Sequence, residues 1–341
     1  MRAKWKFLAD GRSYASLIAT SGFLDGGASV QSALDPAGPQ AARIGELWWL
    51  MFGLCTAVFV AVIGVLLYAV FHARAPSGEP GPRAERRMII AVGGAVAVTT
   101  IMLFVLLVAS VSTGRGLSSL ATPDAVHIEV IGHQWWWEVH YADPVPSQRV
   151  MTANEIHIPV GRPIVLKLTS RDVIHSFWAP NLHGKRDLIP GHVTTMTLRA
   201  DKPGVYRGQC AEFCGYQHAH MAFLVIVDTP EQFAAWLEQQ RRAAAQPTEG
   251  WQQRGQEVFL SSPCVLCHTI QGTLAAGKVA PDLTHVAGRR TIAAGTLPNT
   301  PGHLAAWIVD PQHIKPGNNM PATLLSPDDL QALLAYLQSL K

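Results

Sequence analysis

Cys210-Ala-Glu-Phe-Cys-Gly-Tyr-Gln-His-Ala-His-Met221 packs five thiol, imidazole and thioether donors into twelve residues, a density found nowhere else in the chain. Thiolate, thioether and imidazole together suit copper, whereas calcium and magnesium want oxygen and zinc rarely takes a thioether. Cys210 and Cys214 stand at i and i+4, with His218 and Met221 at i+8 and i+11. A compact loop can therefore aim all four at one centre if a further donor arrives from elsewhere, and His175 is the candidate. The competing reading is a Cys210–Cys214 disulfide, natural in an oxidising compartment. It leaves His218 and Met221 without a purpose.

Outward from this loop, the short apolar runs Val126–Val130, Ile156–Pro159, Ile164–Leu168, Val193–Leu198 and Phe223–Val227 are punctuated by Gly161, Arg162-Pro163, Pro190-Gly191 and Pro203-Gly204. Short strands broken by turn residues predict an all-β sandwich or Greek-key barrel. Toward the N-terminus, Leu47–Phe71 and Met88–Val111 are uncharged apolar stretches, each long enough to cross a bilayer at about 20 residues. They read as a transmembrane hairpin. Its loop carries Arg74, Arg83, Arg86 and Arg87 against Glu79 and Glu85, so the loop is expected on the cytoplasmic side and both chain ends on the outer face. Trp48 and Trp49 stand where interfacial anchors belong, and Cys55 reads as a small apolar filler. Before the first span, the basic start Arg2, Lys4 and Lys6 with the modest apolar run Tyr14–Leu24 reads either as a cleaved signal peptide or as a retained leader. Gln31–Gln40 is expected to be extended and exposed.

Toward the C-terminus, Glu231–Ala245 predicts a helix with Phe233, Trp236 and Leu237 on one face, and Gln246–Gly250 a linker. Beyond it, Cys264-Val-Leu-Cys-His268 is the attachment motif for c-type haem, with two thioether links and His268 as proximal ligand. A helix over Gly250–Leu260 precedes it, Asn319-Met320-Pro321 follows, and a Leu-rich helix over Pro327–Leu340 closes the chain. That order is the order of a class I cytochrome c. Met320 is the sole methionine after the motif, with His285, His303 and His313 as its competitors for the distal position. A net charge of +3 over 341 residues is too small to suggest a nucleic-acid partner, and none is expected.

The loop and the upstream Val-Ile-His175-Ser-Phe resemble the binuclear copper (CuA) centre of cytochrome c oxidase subunit II. The resemblance implies that Cys210 and Cys214 bridge, His175 and His218 are terminal imidazoles, Met221 is a weak thioether and Glu212 gives its backbone carbonyl. It further implies that the Glu212 carboxylate meets a magnesium ion shared with subunit I. Gly132-His-Gln-Trp-Trp-Trp137 is similar to the family's aromatic region, which implies that Trp135 is the electron-entry residue; strand alternation sends Trp136 opposite to its neighbours, where it serves mainly in packing, and leaves one ring, Trp135, exposed. Lys185, Asp187, Ile189, Pro190 and Gly191 match a further family loop; His183 and His220 do not match and read as surface or supporting residues. Glu85 stands where the family has a glutamate near a proton path, although a solvated loop charge explains it better.

The chain thus resembles a membrane-anchored multidomain subunit II with a fused cytochrome c, as in caa3-type oxidases. The expected divisions are a leader over 1–40, a transmembrane helical hairpin over 41–115, a cupredoxin-like CuA domain over 116–230, a helix and linker over 231–250, and an all-α cytochrome c domain over 251–341. The resemblance implies a bacterial inner-membrane protein with two spans and its cofactor domains on the periplasmic face. It implies subunit I, subunit III, and cytochrome c or another electron donor as partners, and oxygen reduction with proton translocation on subunit I. Two alternatives are the relay subunit of a CuA-dependent nitric oxide reductase and a membrane-tethered carrier outside any oxidase.

Overall fold

The computed structural model describes residues 31–72, 81–117 and 124–341. The leader, Arg74 and Glu79 lie outside the described residues. Two long helices, α1 (Pro39–His72) and α2 (Pro82–Leu117), pack against each other and expose nearly all of their apolar side chains. Both pass the length and composition needed to span a bilayer. Each runs beyond the apolar stretch read from the sequence, since the helix continues through the flanking residues. Glu85 sits in the first turn of α2, exposed.

The β-domain is a sandwich of two five-stranded sheets. One has β1 (Val126–His133), β2 (Trp136–Tyr141), β3 (Val150–Ala153), β5 (Ile164–Ser170) and β8 (Thr194–Leu198) in the order β3-β2-β1-β5-β8. The other has β4 (Glu155–Pro159), β6 (His175–Trp178), β7 (Arg186–Leu188), β9 (Gly204–Cys210) and β10 (Ala222–Asp228) in the order β4-β10-β9-β6-β7. Period-two alternation puts Ile128, Val130, Trp137, Val139, Leu166 and Leu168 inward from the first sheet, against Phe177, Tyr206, Phe223 and Val225 from the second. Gly208 is required in β9, since a Cβ there would come within 2.1 Å of the Phe223 ring. The strands not anticipated, β3, β6, β7 and β9, are short or interrupted by glycine. β9 reads Gly-Val-Tyr-Arg-Gly-Gln-Cys and owes its state to pairing with β10 on one side and β6 on the other.

Gln31–Gln40 is a strap and not an exposed tail. Ala37 N donates to Asn181 O at 2.7 Å, Asp201 N donates to Ala37 O at 2.7 Å, and Asn181 Nδ2 donates to Asp35 O at 2.9 Å. Ala37, Gln40 and Ala41 are buried, so its proline and glycine shape a segment laid on the β-domain that enters α1 at Pro39. Gly38 passes so close to the backbone of Arg199 that a side chain there would meet it.

Helix α3 (Pro230–Gln240) opens on a capping box, in which Gln232 N donates to Thr229 Oγ1 while the Gln232 side chain accepts from Thr229 N. It ends at Arg241, earlier than the alanine run suggests, because Ala244 N instead donates to Gln271 O and Ala244 enters the C-terminal core. That core is built by α4 (Gly250–Ser261), the single turn α5 (Cys264–Cys267), a short hairpin β11 (Thr291–Ile292) and β12 (Leu297–Pro298), α6 (Pro301–Val309), α7 (Pro311–Ile314) and α8 (Pro327–Ser339). α4 crosses α8 closely enough that a Cβ on Gly255 would fall 2.0 Å from Ala332 O. Helix α8 is capped by Ser326, whose hydroxyl accepts from Asp329 N, with Asp328 and Asp329 at its positive end.

Candidate metal centre

The copper loop is pinned at both ends by the second sheet. Cys210 ends β9, Met221 immediately precedes β10, and Cys210 N donates to Met221 O at 2.9 Å, closing the loop like a drawstring. His175 opens β6, which β9 flanks. These elements bring together the donors that sequence separates. Cys210 Sγ and Cys214 Sγ stand 3.7 Å apart and unjoined. Cys210 Sγ lies 3.8 Å from His175 Nδ1 and 3.1 Å from Glu212 O, while Cys214 Sγ lies 3.5 Å from His218 Nδ1 and 3.8 Å from Met221 Sδ. Both thiols, His175 and Met221 are buried. The ligand atoms of His175, Cys210 and Cys214 all fall within 4.8 Å of one another. Two central sulfurs, each with one imidazole, and a thioether and a carbonyl at the flanks form a soft, two-sided donor set that fits a pair of copper ions.

The shared hydrogen between the two sulfurs lowers the Cys210 thiol to about 4, against the opposing effect of burial, with help from His175. The same sharing, together with burial, drives Cys214 far upward. The sharing favours one thiolate, and metal binding would release the second proton. His175 is oriented by Asp172, whose Oδ1 lies 2.8 Å from Nε2, so that Nδ1 is left for the centre. Burial works against that pair, yet their hydrogen bond holds the Asp172 carboxyl below and the His175 imidazole above their ordinary values. Asp172 also accepts from Gln134 N at 2.6 Å, tying the aromatic hairpin to the same frame. Sequence reasoning passed over Asp172; a carboxylate three residues before a ligand histidine was the available signal.

The remaining residues of the region sort by geometry. The Glu212 carboxylate points away from the sulfurs and pairs with Lys185 Nζ at 3.2 Å. His220 Nδ1 bonds the Gln217 side chain at 2.8 Å. His183 is buried, not a surface residue, and burial lowers its basicity; no partner reaches its Nδ1 among the described residues, and it joins no cluster of donors.

The three tryptophans divide differently from the expectation. Gln134 and Trp135 form the two-residue tip of the β1–β2 hairpin, where His133 pairs with Trp136. Trp135 is only 9% exposed, because the C-terminal domain lies over it. Its Nε1 donates to Cys214 O at 2.9 Å, a direct link to the copper loop. Trp137 is the packing residue, wholly buried against Phe177 and Phe223, while Trp136 is half-buried on the outer face, stacked on His133 at 4.4 Å. Alternation on the strand sends Trp136 and Trp137 to opposite faces, and the sandwich interior lies on the Trp137 side.

In the C-terminal domain, Cys264 and Cys267 flank one helical turn and His268 N donates to Cys264 O at 3.0 Å. His268 Nδ1 lies 2.8 Å from Pro281 O, which leaves Nε2 as the ligating nitrogen, and burial lowers the ring's basicity. Two free thiols and a neutral imidazole with one nitrogen fixed fit covalent haem. Met320 sits in a loop framed by Gln312 and Asn318: Gln312 Nε2 donates to Asn318 O and Met320 O, both at 2.8 Å, and Met320 N donates to Asn318 Oδ1 at 2.8 Å. His285 is engaged on both ring nitrogens by Lys341 O and Arg242 O, and His303 bonds Thr300.

Both domains resemble known proteins. Residues 126–228 match the family model described as cytochrome c oxidase subunit II, periplasmic domain, and residues 252–341 match the cytochrome c model. A cytochrome c oxidase subunit 2 of Alkalihalophilus pseudofirmus is 37% identical over 325 residues, covering 91% of this chain and 91% of the relative. That of Bacillus subtilis is 31% identical over 229 residues, covering 64% and 63%. Among solved structures, the periplasmic domain of cytochrome oxidase subunit II from Bradyrhizobium japonicum is 30% identical and covers 36% of this chain and 97% of that one, at a TM-score of 0.34.

Proposed function

The chain belongs to the cytochrome c oxidase subunit II family, and from that premise we propose that it carries electrons from its own C-terminal domain, through Trp135, into a binuclear copper centre and on to subunit I. It is the electron-relay subunit of a cytochrome c oxidase, anchored in a bacterial membrane. Copper and haem are the cofactors its two matched domains imply. Bound here, each would take up and release one electron at a time.

The chain's own residues would do the following. Cys210 Sγ, Cys214 Sγ, His175 Nδ1, His218 Nδ1, Met221 Sδ and the Glu212 carbonyl would hold the coppers, which would supply one-electron transfer. Strand-anchored ligands hold their positions in both redox states, which keeps the barrier to electron transfer low. Cys264, Cys267, His268 Nε2 and Met320 Sδ would hold the haem; the engagement of His285 and His303 elsewhere favours Met320 over them. Trp135 would be the electron-entry residue, passing charge from the C-terminal domain to the backbone of Cys214. The helical hairpin would leave both cofactor domains on the periplasmic face, with subunit III and an external cytochrome c or other donor as further partners. A magnesium ion at the Glu212 carboxylate would share it with Lys185, which pairs with Oε2.

The observation that carries this reading is the pair of sulfurs 3.7 Å apart with an imidazole on each. Electron paramagnetic resonance tests it: the oxidised centre should show one unpaired electron shared equally by two copper nuclei, with two coppers per chain. A signal from an isolated single copper, or full metal retention after Cys214→Ser, would overturn it.

A further inference from the structure

The face that joins the two cofactor domains contains a lysine in an unusual place. Lys315 is 2% exposed, and its Nζ donates to Trp135 O at 2.7 Å and to Ala293 O at 3.1 Å. Lysines are almost never fully buried unless paired, and both of these hydrogen-bond partners are backbone carbonyls, one from each domain. The first belongs to the tryptophan that contacts the copper loop, the second to the turn between β11 and β12. That turn holds Ala293 and Ala294 at φ 53° and 58°, a left-handed conformation costly for alanine and kept only where surroundings enforce it. Its second carbonyl is engaged across the interface as well, Ala222 N donating to Ala294 O at 2.9 Å, one residue after Met221.

Further contacts extend the same face. Gln217 Nε2, inside the copper loop, donates to Pro316 O at 2.7 Å. At the far edge, buried Glu155 Oε1 accepts from Arg290 N at 2.7 Å and Thr291 N at 3.0 Å. On the other side of Lys315, the segment to Met320 is stiff: Gly317 N donates to Gln312 Oε1 at 2.9 Å, and Asn318 Nδ2 donates to Pro311 O at 3.0 Å and Lys315 O at 2.7 Å. Whatever fixes Lys315 therefore fixes where this internally braced loop sits against the β-domain.

We propose that Lys315 is a positioning residue, a latch that locks the C-terminal domain over Trp135, so that the copper centre is loaded from one fixed docked pose and not by collisions of a tethered domain. The proposal rests on the relay reading above. Burying an amine costs free energy whether it is charged or neutral, and an apolar side chain would fill the space more cheaply. The specific return is geometry: one side chain ties the carbonyl of the electron-entry residue, the strained turn and the base of the Met320 loop. A second consequence is occlusion, since a docked domain keeps any soluble redox protein away from Trp135.

The test compares the parent with Lys315→Met in the full chain within its oxidase complex, with both cofactors loaded. Two readouts are taken: hydrogen exchange at Gly132–Trp137 and Ala293–Gly295, which needs no electron flow, and the haem-to-copper rate after a reducing flash at several solvent viscosities. The parent should transfer at a rate independent of viscosity. Lys315→Met should exchange roughly tenfold faster at both segments, transfer roughly tenfold more slowly and become viscosity-dependent, with both cofactor spectra unchanged. Parental exchange and a parental, viscosity-independent rate in the variant would overturn the latch. Should Lys315→Met not fold, Glu155→Ala at the far edge must raise exchange at Gly132–Trp137; parental exchange there, with spectra intact, overturns the proposal equally. Absence of haem-to-copper transfer in the parent itself would instead overturn the relay reading, leaving the latch to be judged on exchange.

Discussion

A metal ligand is only as good as the group that aims it, and His175 has two such constraints. Asp172 holds Nε2, and Gly132 makes room for the ring, since a Cβ at that position would come within 2.7 Å of His175 Cδ2. Asp172 also receives the amides of Gln134 and Val173, so its carboxylate is fixed from several directions before it meets the histidine. Supporting partners of this kind typically govern metal affinity by 10- to 100-fold. Asp172→Ala should accordingly lose copper to a competing chelator at about 10- to 100-fold lower chelator concentration, while retaining the β-domain's circular dichroism. Unchanged retention would mean that β6 alone positions the ring.

At the level of elements, the β1–β2 hairpin joins core, site and surface. Its inner face carries Trp137, wholly buried and edge-on to Phe177, Phe223 and His175. Trp137→Ala should cost about 3–5 kcal/mol, as large aromatic truncations in tight cores do, seen as an earlier urea midpoint. Trp136→Ala removes an outer-face stack on His133 and should cost no more than about 1.5 kcal/mol. The same outer face carries Glu138, which bridges His133 Nε2 at 2.8 Å and His140 Nε2 at 2.6 Å. Burial alone would raise its pKa, but the two histidine hydrogen bonds and charges overcome this and lower it from 4.5 to about 2. A carboxyl whose folded pKa is depressed contributes stability that is present above the unfolded value and lost as pH falls through the folded one. Parent stability should therefore decline between about pH 4.5 and 2 from this group, and Glu138→Gln should flatten that part of the acid-unfolding curve.

For the whole molecule, three bodies meet at two seams: a strap from residue 31 lays the root of α1 on the β-domain, and the Lys315 face lays the C-terminal domain on the copper loop. The second seam is made of buried bonds to backbone and not of exposed ion pairs. Screening weakens exposed charges, with a Debye length falling from about 30 Å at 0.01 M to about 3 Å at 1 M salt. The haem-to-copper rate should therefore hold steady across that range. A rate that drops steeply with salt would mean that exposed charges dock the domain.

The sequence by itself determined what depends on neighbours along the chain. Cys210 to Met221 points to copper because soft donors crowd one loop, Cys264 to His268 to haem because attachment needs that spacing, and the two apolar runs to membrane spans by length and composition. It was silent wherever a residue's state is set by something far away in the chain. β9 is a strand because β10 and β6 flank it, Gln31–Gln40 is a strap because Asn181 and Asp201 supply its hydrogen bonds, and Trp135 is buried because a domain 180 residues further on covers it. Asp172, Glu155 and Lys315 are ordinary surface residue types whose roles appear only when their partners arrive. Local chemistry writes the cofactors into the chain, and long-range packing, driven by burial of the two cores and the backbone groups between them, decides how those cofactors face one another.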